Sequence, residues 1–252
     1  MTGVEGVVLS NLEFDLLWTD LALGELPYPL EVPSHGHTMA ERDELGGQVF
    51  DTLDEAGLID GDEIAADLED QLTLLSDPAL SVDALLIGEV PLRLLAAAGQ
   101  RQAVLAVLDH AELALRPIAP DALVPVVAEV IGDAPPGRGQ EVRLPRAVFS
   151  AAMNAFATKG HSGLEWVLAQ AGITGRETRA LSTLATAPRT CSGQLAANGP
   201  GGRSPIVSWF DTEAGRYAAR VEQIAGDSWV TLTPADGSWL AARTAELTDR
   251  VR

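Results

Sequence analysis

Apolar and polar positions along the chain follow two periods, and the periods alternate twice in the same order. Val7, Val8 and Leu9 form a strand-sized apolar run. Ser10 to Glu13 then has the S-x-x-E spacing of a helix capping box, so a helix is predicted from there to about Leu23. Tyr28 to Val32 reads as a short strand kept at a sheet edge by Pro29, and 33–37 as a loop. A second capping box, Thr38 to Glu41, opens a helix on which Leu45, Val49, Leu53 and Ala56 share a face, with Gly57 as its stop. Asp60 to Glu63 predicts another helix start, with Ile64, Leu68, Leu72 and Leu75 inward and Asp77-Pro78 at the end. From Val82 the period shortens. Val82–Ile87, Leu92–Ala97, Ala103–Leu108 and Leu113–Ile118 are apolar runs joined by short polar links, the pattern of an antiparallel meander. The third run has no polar break and predicts a strand buried on both faces. Asp121 caps a predicted helix to Ile131.

The segment 134–139, Ala-Pro-Pro-Gly-Arg-Gly, is the clearest linker, and the order of elements repeats after it. Glu141–Leu144 is a short strand and Pro145 stands where prolines open helices. Capping boxes at Ser162–Glu165 and Thr174–Glu177 predict helices ending near Gly172 and Pro188. A second meander follows (Gly193–Ala197, Ile206–Phe210, Arg216–Val221, Trp229–Thr233), then a helix with Leu240, Leu247 and Val251 inward. Each half thus reads strand, helices, four-stranded meander, helix. The expectation is an α/β (α+β) fold with one shared sheet and helices against it, 1–252 forming a single domain of pseudo-repeat halves 1–133 and 140–252 about the linker 134–139.

Charge separates the halves. Of 36 acids and 17 bases, residues 1–133 carry 26 acids and 4 arginines, while 134–252 carry 10 acids and 13 bases. From Asp43 to Glu89 there are fourteen acids and no base. A net charge of −19 excludes nucleic acid and anionic membrane as partners, since both need clustered Lys and Arg. The acidic helices between Asp43 and Asp77 are expected to be a solubilising, non-binding face. No run is long enough to span a bilayer, and the start has neither a basic segment nor an apolar one suited to export, so a cytoplasmic protein is expected.

Candidate chemistry is sparse. Gly199–Ser204 is glycine-rich but lacks the Lys-Ser/Thr of a phosphate loop. His161-Ser162 lacks the glycine spacing of a nucleophile elbow, and Asp60–Glu63 breaks the calcium-loop pattern at Ile64. His35, His37 and Glu41 form only a weak metal-ligand set. Cys191 has no partner cysteine. No catalytic, cofactor-binding or metal-ligating residues are therefore assigned, and no enzyme activity or cofactor is expected. The positive signal is aromatic. Trp209 and Phe210 are adjacent on a strand and must point to opposite sheet faces, with Tyr217 and Trp229 on the strands that follow. Either one sheet face is open for a partner, or the protein's own helices cover both.

Several blocks carry a resemblance. Leu92–Ala98, Ala103–Val107, Leu115-Arg-Pro and Ala134–Gly139, with Ser192–Leu195, Ser208–Tyr217 and Trp229–Asp236, are similar to the two meanders and linker of the EspG family of ESX secretion-associated proteins. The resemblance covers essentially the whole chain. It implies a quasi-two-fold fold with a central antiparallel sheet and two helical bundles. It also implies a cytosolic chaperone of type VII secretion in actinobacteria that binds PE/PPE-type heterodimers at a hydrophobic tip, using the sheet and the C-terminal bundle. The expected partner-binding residues are Ile206, Ser208, Phe210, Ala218 and Arg220 on the second meander, with Trp166 on a nearby helix. The alternatives are an α/β domain with an apolar pocket that binds a small ligand or hydrolyses one, and a structural scaffold whose acidic helices dock a basic partner in a salt-sensitive way.

Overall fold

The computed structural model describes residues 6–252; residues 1–5 of the stretch read above for an export signal lie outside the described residues. Strand β1 (Val7–Ser10) runs straight into helix α1 (Asn11–Asp20). The junction is the expected capping box, in which the Glu13 N–H donates to Ser10 Oγ at 3.2 Å and the Ser10 N–H to Glu13 Oε2 at 2.6 Å. The helix stops before Leu23 because Ala22 takes φ 51°, which no helix can continue. No strand forms at Tyr28–Val32: the chain turns there, with the Leu30 N–H bonded to Pro27 O, and Leu30 is fully buried in the core. Helix α2 (Met39–Glu55) has the Thr38–Glu41 box.

Asp60–Glu63 is not a helix start. It closes a hairpin of β2 (Ile59–Asp60) and β3 (Glu63–Ile64), with Gly61 at φ 69°. An Asp-Gly pair between strand residues favours this turn, and in the sequence it competes with the capping reading. Ile64 therefore belongs to the hairpin, and α3 (Ala66–Ser76) buries Leu68, Leu72 and Leu75. The first meander is as expected: β4 (Leu80–Ile87), β5 (Leu92–Ala98), β6 (Ala103–Leu108) and β7 (Glu112–Ile118), with all of β6 but Val107 buried. Asp121 does not cap a helix but lies in a 3-10 turn ahead of α4 (Leu123–Ile131).

In the second half, β8 (Val142–Pro145) leads into α5 (Arg146–Gln170), which breaks at Gly160 (φ 64°, ψ −153°), and then α6 (Arg176–Thr186). Neither expected capping box forms. The Ser162 hydroxyl donates to Lys159 O just past the break, and Gly175 stands before α6 without a side-chain cap. The second meander comprises β9 (Arg189–Gly199), the short β10 (Gly202–Arg203), β11 (Val207–Thr212), β12 (Gly215–Ile224) and β13 (Asp227–Pro234). Helix α7 (Gly237–Val251) closes the chain, capped by Asp236, whose Oδ1 accepts from the Trp239 N–H at 2.8 Å.

All the strands except β2 and β3 form one antiparallel sheet in the order β1-β7-β6-β5-β4-β9-β11-β12-β13-β8, with β10 added beside β9. From either edge inward the order is the same: the first strand of a half, then its meander in reverse. The halves join at the centre, where Val82 faces Ala197 and Ala84 faces Leu195 across β4 and β9. Helices α4 and α7 cover one face over a core that includes Val82, Leu94, Leu195, Val207 and Trp209. The other face carries two bundles. Helices α1–α3 pack on Leu95, Val104, Leu108 and Leu113, and α5 and α6 on Val142, Leu144, Val230 and Leu232.

The 134–139 segment is pinned to the sheet. The Arg216 N–H donates to Pro135 O and the Gly137 N–H to Arg216 O, both at 2.8 Å. A Cβ on Gly137 would lie 2.1 Å from the Tyr217 ring, so only glycine passes beneath it. Arg216 itself is buried, forked onto Asp211 at 2.7 and 2.9 Å and bonded to Gly132 O at 2.8 Å.

Candidate partner-binding surface

Register decides which meander residues share a surface. Thr212 pairs with Gly215 across the two-residue turn Glu213-Ala214, so Ser208 faces Ala219 and Phe210 faces Tyr217, while Val207 faces Arg220 and Trp209 faces Ala218. Directly opposed residues point to the same side of a sheet. Ile206, Ser208 and Phe210 thus look towards α5 and α6, whereas Ala218 and Arg220 look the other way, with Trp209. The six expected residues do not form one surface. Ala218 is buried against the α7 face, and the Arg220 guanidinium reaches Glu222 at 3.5 Å and Glu141 at 3.9 Å. Trp166, 65% exposed, stands on the outer side of α5, two residues beyond the buried Leu164.

Phe210 is 8% exposed, stacked on Tyr217 with ring centroids 5.6 Å apart and roofed by the Arg189 guanidinium at 4.7 Å. The protein's own side chains cover it. Trp209 fills the opposite core above Gly193, where a Cβ would lie 2.3 Å from its ring. The adjacent aromatics do point to opposite faces, and both faces have covers at this point.

An open feature lies one strand position away. A groove of about 530 Å³ runs between the first turns of α5 and the strands β9, β11 and β12. Its α5 wall is Arg146, Phe149 and Ser150, its floor Gln194, Ser208 and Ala219, and its rim Ile206 and Val221, which are 45% and 40% exposed. Three of the expected residues, Ile206, Ser208 and Arg220, line it. Ala219 and Val221 line it beside Arg220, and Ala218 does not. The two-residue turn was the available signal: it fixes the register, and with it the parity.

Towards the sheet centre the same face carries a polar clasp that sequence reasoning missed. Asp83, 3% exposed on β4, accepts from both Arg203 Nη atoms at 2.5 and 2.8 Å and from Asn198 Nδ2 at 2.8 Å. This hydrogen bonding holds the Arg203 guanidinium above its already high ordinary pKa. Arg203 also lies over the Tyr28 ring at 5.5 Å, tying the second half to the first across the joint. Asp83 was the one charge in an otherwise apolar run.

The residues weighed for chemistry have structural partners. Asp15 accepts from the His35 N–H at 2.7 Å, and Glu41 Oε2 serves the His37 and Thr38 N–H groups. Among the described residues no three His, Cys, Asp or Glu side chains converge to hold a metal ion. His161 meets Ser182 at 2.5 Å rather than its neighbour Ser162. Burial pushes the Cys191 thiol up, and the Asp211 carboxylate adds to the shift.

A family model, that of the EspG family, matches residues 10–246, nearly the whole chain. The chain belongs to the EspG family. No curated protein matches this EspG-family chain. Among solved structures, it is similar to the Mycobacterium tuberculosis type VII secretion system chaperone EspG5, solved in complex with a PE25-PPE41 dimer. The likeness has 17% identity and a TM-score of 0.75, over 98% of this chain and 97% of the other. It extends to the whole architecture of sheet and helices. No helix among the described residues is long and apolar enough to cross a membrane.

Proposed function

We propose that this EspG-family chain is a cytosolic chaperone of type VII secretion that binds a PE/PPE-type heterodimer and keeps it soluble before export. The observation that carries the reading is the groove between α5 and the second meander, open and apolar-rimmed in a fold shared with EspG5. A client with an exposed apolar tip self-associates; a folded partner that covers the tip lowers the free concentration of the sticky species. This is action by occupancy, without catalysis or a cofactor. Ile206 and Val221 are the anchors at the groove mouth and Ser208 and Ala219 its floor. Arg220 lines the groove, Phe210 and Ala218 support that floor from beside or behind it, and Trp166, on the outer side of α5, is a separate exposed contact. A specific complex needs about 1,200–2,000 Å² of total buried area. The groove therefore supplies the centre of the contact and the flanking α5 and sheet surfaces the remainder. We read 1–133 and 140–252 as two architectural halves of one domain, with the client held by the second.

Co-expression with the PE/PPE pairs encoded beside its gene, followed by size exclusion, tests this. The expected result is co-elution with one pair, lost in Ile206→Asp. Failure to co-elute with any pair would overturn the reading.

A further inference from the structure

Helix α2, expected to be part of a solubilising, non-binding face, borders a second groove. It measures about 520 Å³ and lies between α1, α2 and the β2–β3 hairpin, floored by Leu17, Val49, Leu53 and Ile64. Met39, 74% exposed, and Phe50 stand at its mouth. Along α2, Met39, Asp43, Gly46 and Phe50 recur at steps of four, three and four and so share one face. Gly46 lines the groove, and a Cβ there would meet nothing within 4 Å. Glycine within a helix costs about 1 kcal/mol relative to alanine. Here no close backbone approach or positive φ calls for it, and its effect is to keep the groove open.

Charge identifies the occupant. Asp20 and Asp43 line the groove, and neither takes part in an ion pair among the described residues. Arg42 also lines the groove, but its guanidinium is already bound to Asp15, Thr19, Ser34 and the His35 carbonyl. The segment from Asp43 to Glu89 holds fourteen acids and no base of its own, and among the described residues only Asp83 of them is in an ion pair, with Arg203. We propose that this groove is a second docking site, separate from the client groove. Its occupant is a segment of a partner protein with large apolar side chains on one helical face, flanked by lysines or arginines. Helix-in-groove recognition of this kind takes its affinity from the apolar anchors, while the acidic surroundings speed encounter and set polarity.

The test uses the full chain and a fluorescein-labelled 18-residue peptide with leucines on one helical face and lysines on the other, followed by anisotropy. Saturable binding at 150 mM salt is expected, falling at least tenfold in Gly46→Leu, which fills the groove, and in Met39→Ser, an exposed change that leaves the fold intact. Asp20→Asn with Asp43→Asn should weaken binding severalfold and flatten its salt dependence. A peptide with serine for leucine should not bind. Equal binding by the serine peptide, or unchanged binding by both groove variants, would overturn the proposal. Both variants should still capture the PE/PPE pair that the wild type captures; loss of that pair by the folded variants would refute a separate site.

Discussion

Gly193→Ala is predicted to be among the most damaging single-methyl additions in the chain. Gly193 lies on β9 between β4 and β11, at the joint of the two halves. A Cβ there would be 2.3 and 2.5 Å from two Trp209 ring carbons and 2.5 Å from Leu85 O, where ordinary contacts begin at 3.4 Å. The ring must withdraw by about 1 Å into a close-packed core, or the β4 carbonyl must leave its ladder; overpacking of this kind costs about 1–3 kcal/mol. Trp209 is 1% exposed and has no free space to enter, so the upper part of that range applies, about 3 kcal/mol. Urea unfolding followed by tryptophan fluorescence should show a lower midpoint with an unchanged slope. In a cycle with Trp209→Leu, the double variant should be more stable than the sum of the singles by about 1–2 kcal/mol, because the smaller side chain leaves room for the methyl group. Wild-type stability for Gly193→Ala, or additivity within about 0.5 kcal/mol, would refute the argument.

Arg216→Met leaves the Asp211 carboxylate and the Gly132 carbonyl without their buried partner and should cost about 3–5 kcal/mol, read as a lower Tm; Arg216→Lys keeps the charge but not the fork and should fall between. Asp236→Ala removes the α7 cap and should cost about 0.5–2 kcal/mol at neutral pH. The Ser238 hydroxyl and the Trp239 N–H hold the Asp236 carboxyl below its usual range. That stabilisation is therefore complete above the unfolded pKa and fades as pH falls through the lower folded one, so the wild-type advantage should vanish in acid; a constant difference down to pH 2 would contradict it. Cys191, partly buried, should react with a thiol reagent more slowly in the native protein than in urea, since burial raises its pKa and limits access; equal rates would contradict that.

The meanders were legible because apolar runs separated by Gly-Glu, Gly-Gln and Asp-His leave little choice but strands. Two capping boxes, at Ser10 and Thr38, formed. Those at Ser162 and Thr174 did not, because Gly160 and Gly175 at positive φ already define the helix boundaries. The same competition turned Asp60–Glu63 into a hairpin. The α5 groove was legible in part: Ile206, Ser208 and Arg220 line it, but that Ala219 and Val221 rather than Ala218 share its face hangs on the register set by the turn at Glu213-Ala214. Phe210 was an expected contact, and nothing local foretells that Arg189 and Tyr217 will cover it. The Asp83–Arg203 clasp joins residues 120 positions apart and has no local pattern at all.

The most direct measurement is the affinity of the purified client pair for wild type, Ser208→Phe, Ile206→Asp and Gly46→Leu, by calorimetry. Ser208→Phe fills the floor of the α5 groove and Ile206→Asp places a charge at its mouth, whereas Gly46→Leu alters only the acidic groove. Loss of a central anchor costs about 2 kcal/mol, roughly a 30-fold weakening. The first two variants should lose at least that and the third nothing. Full affinity in both folded α5-groove variants would contradict the account.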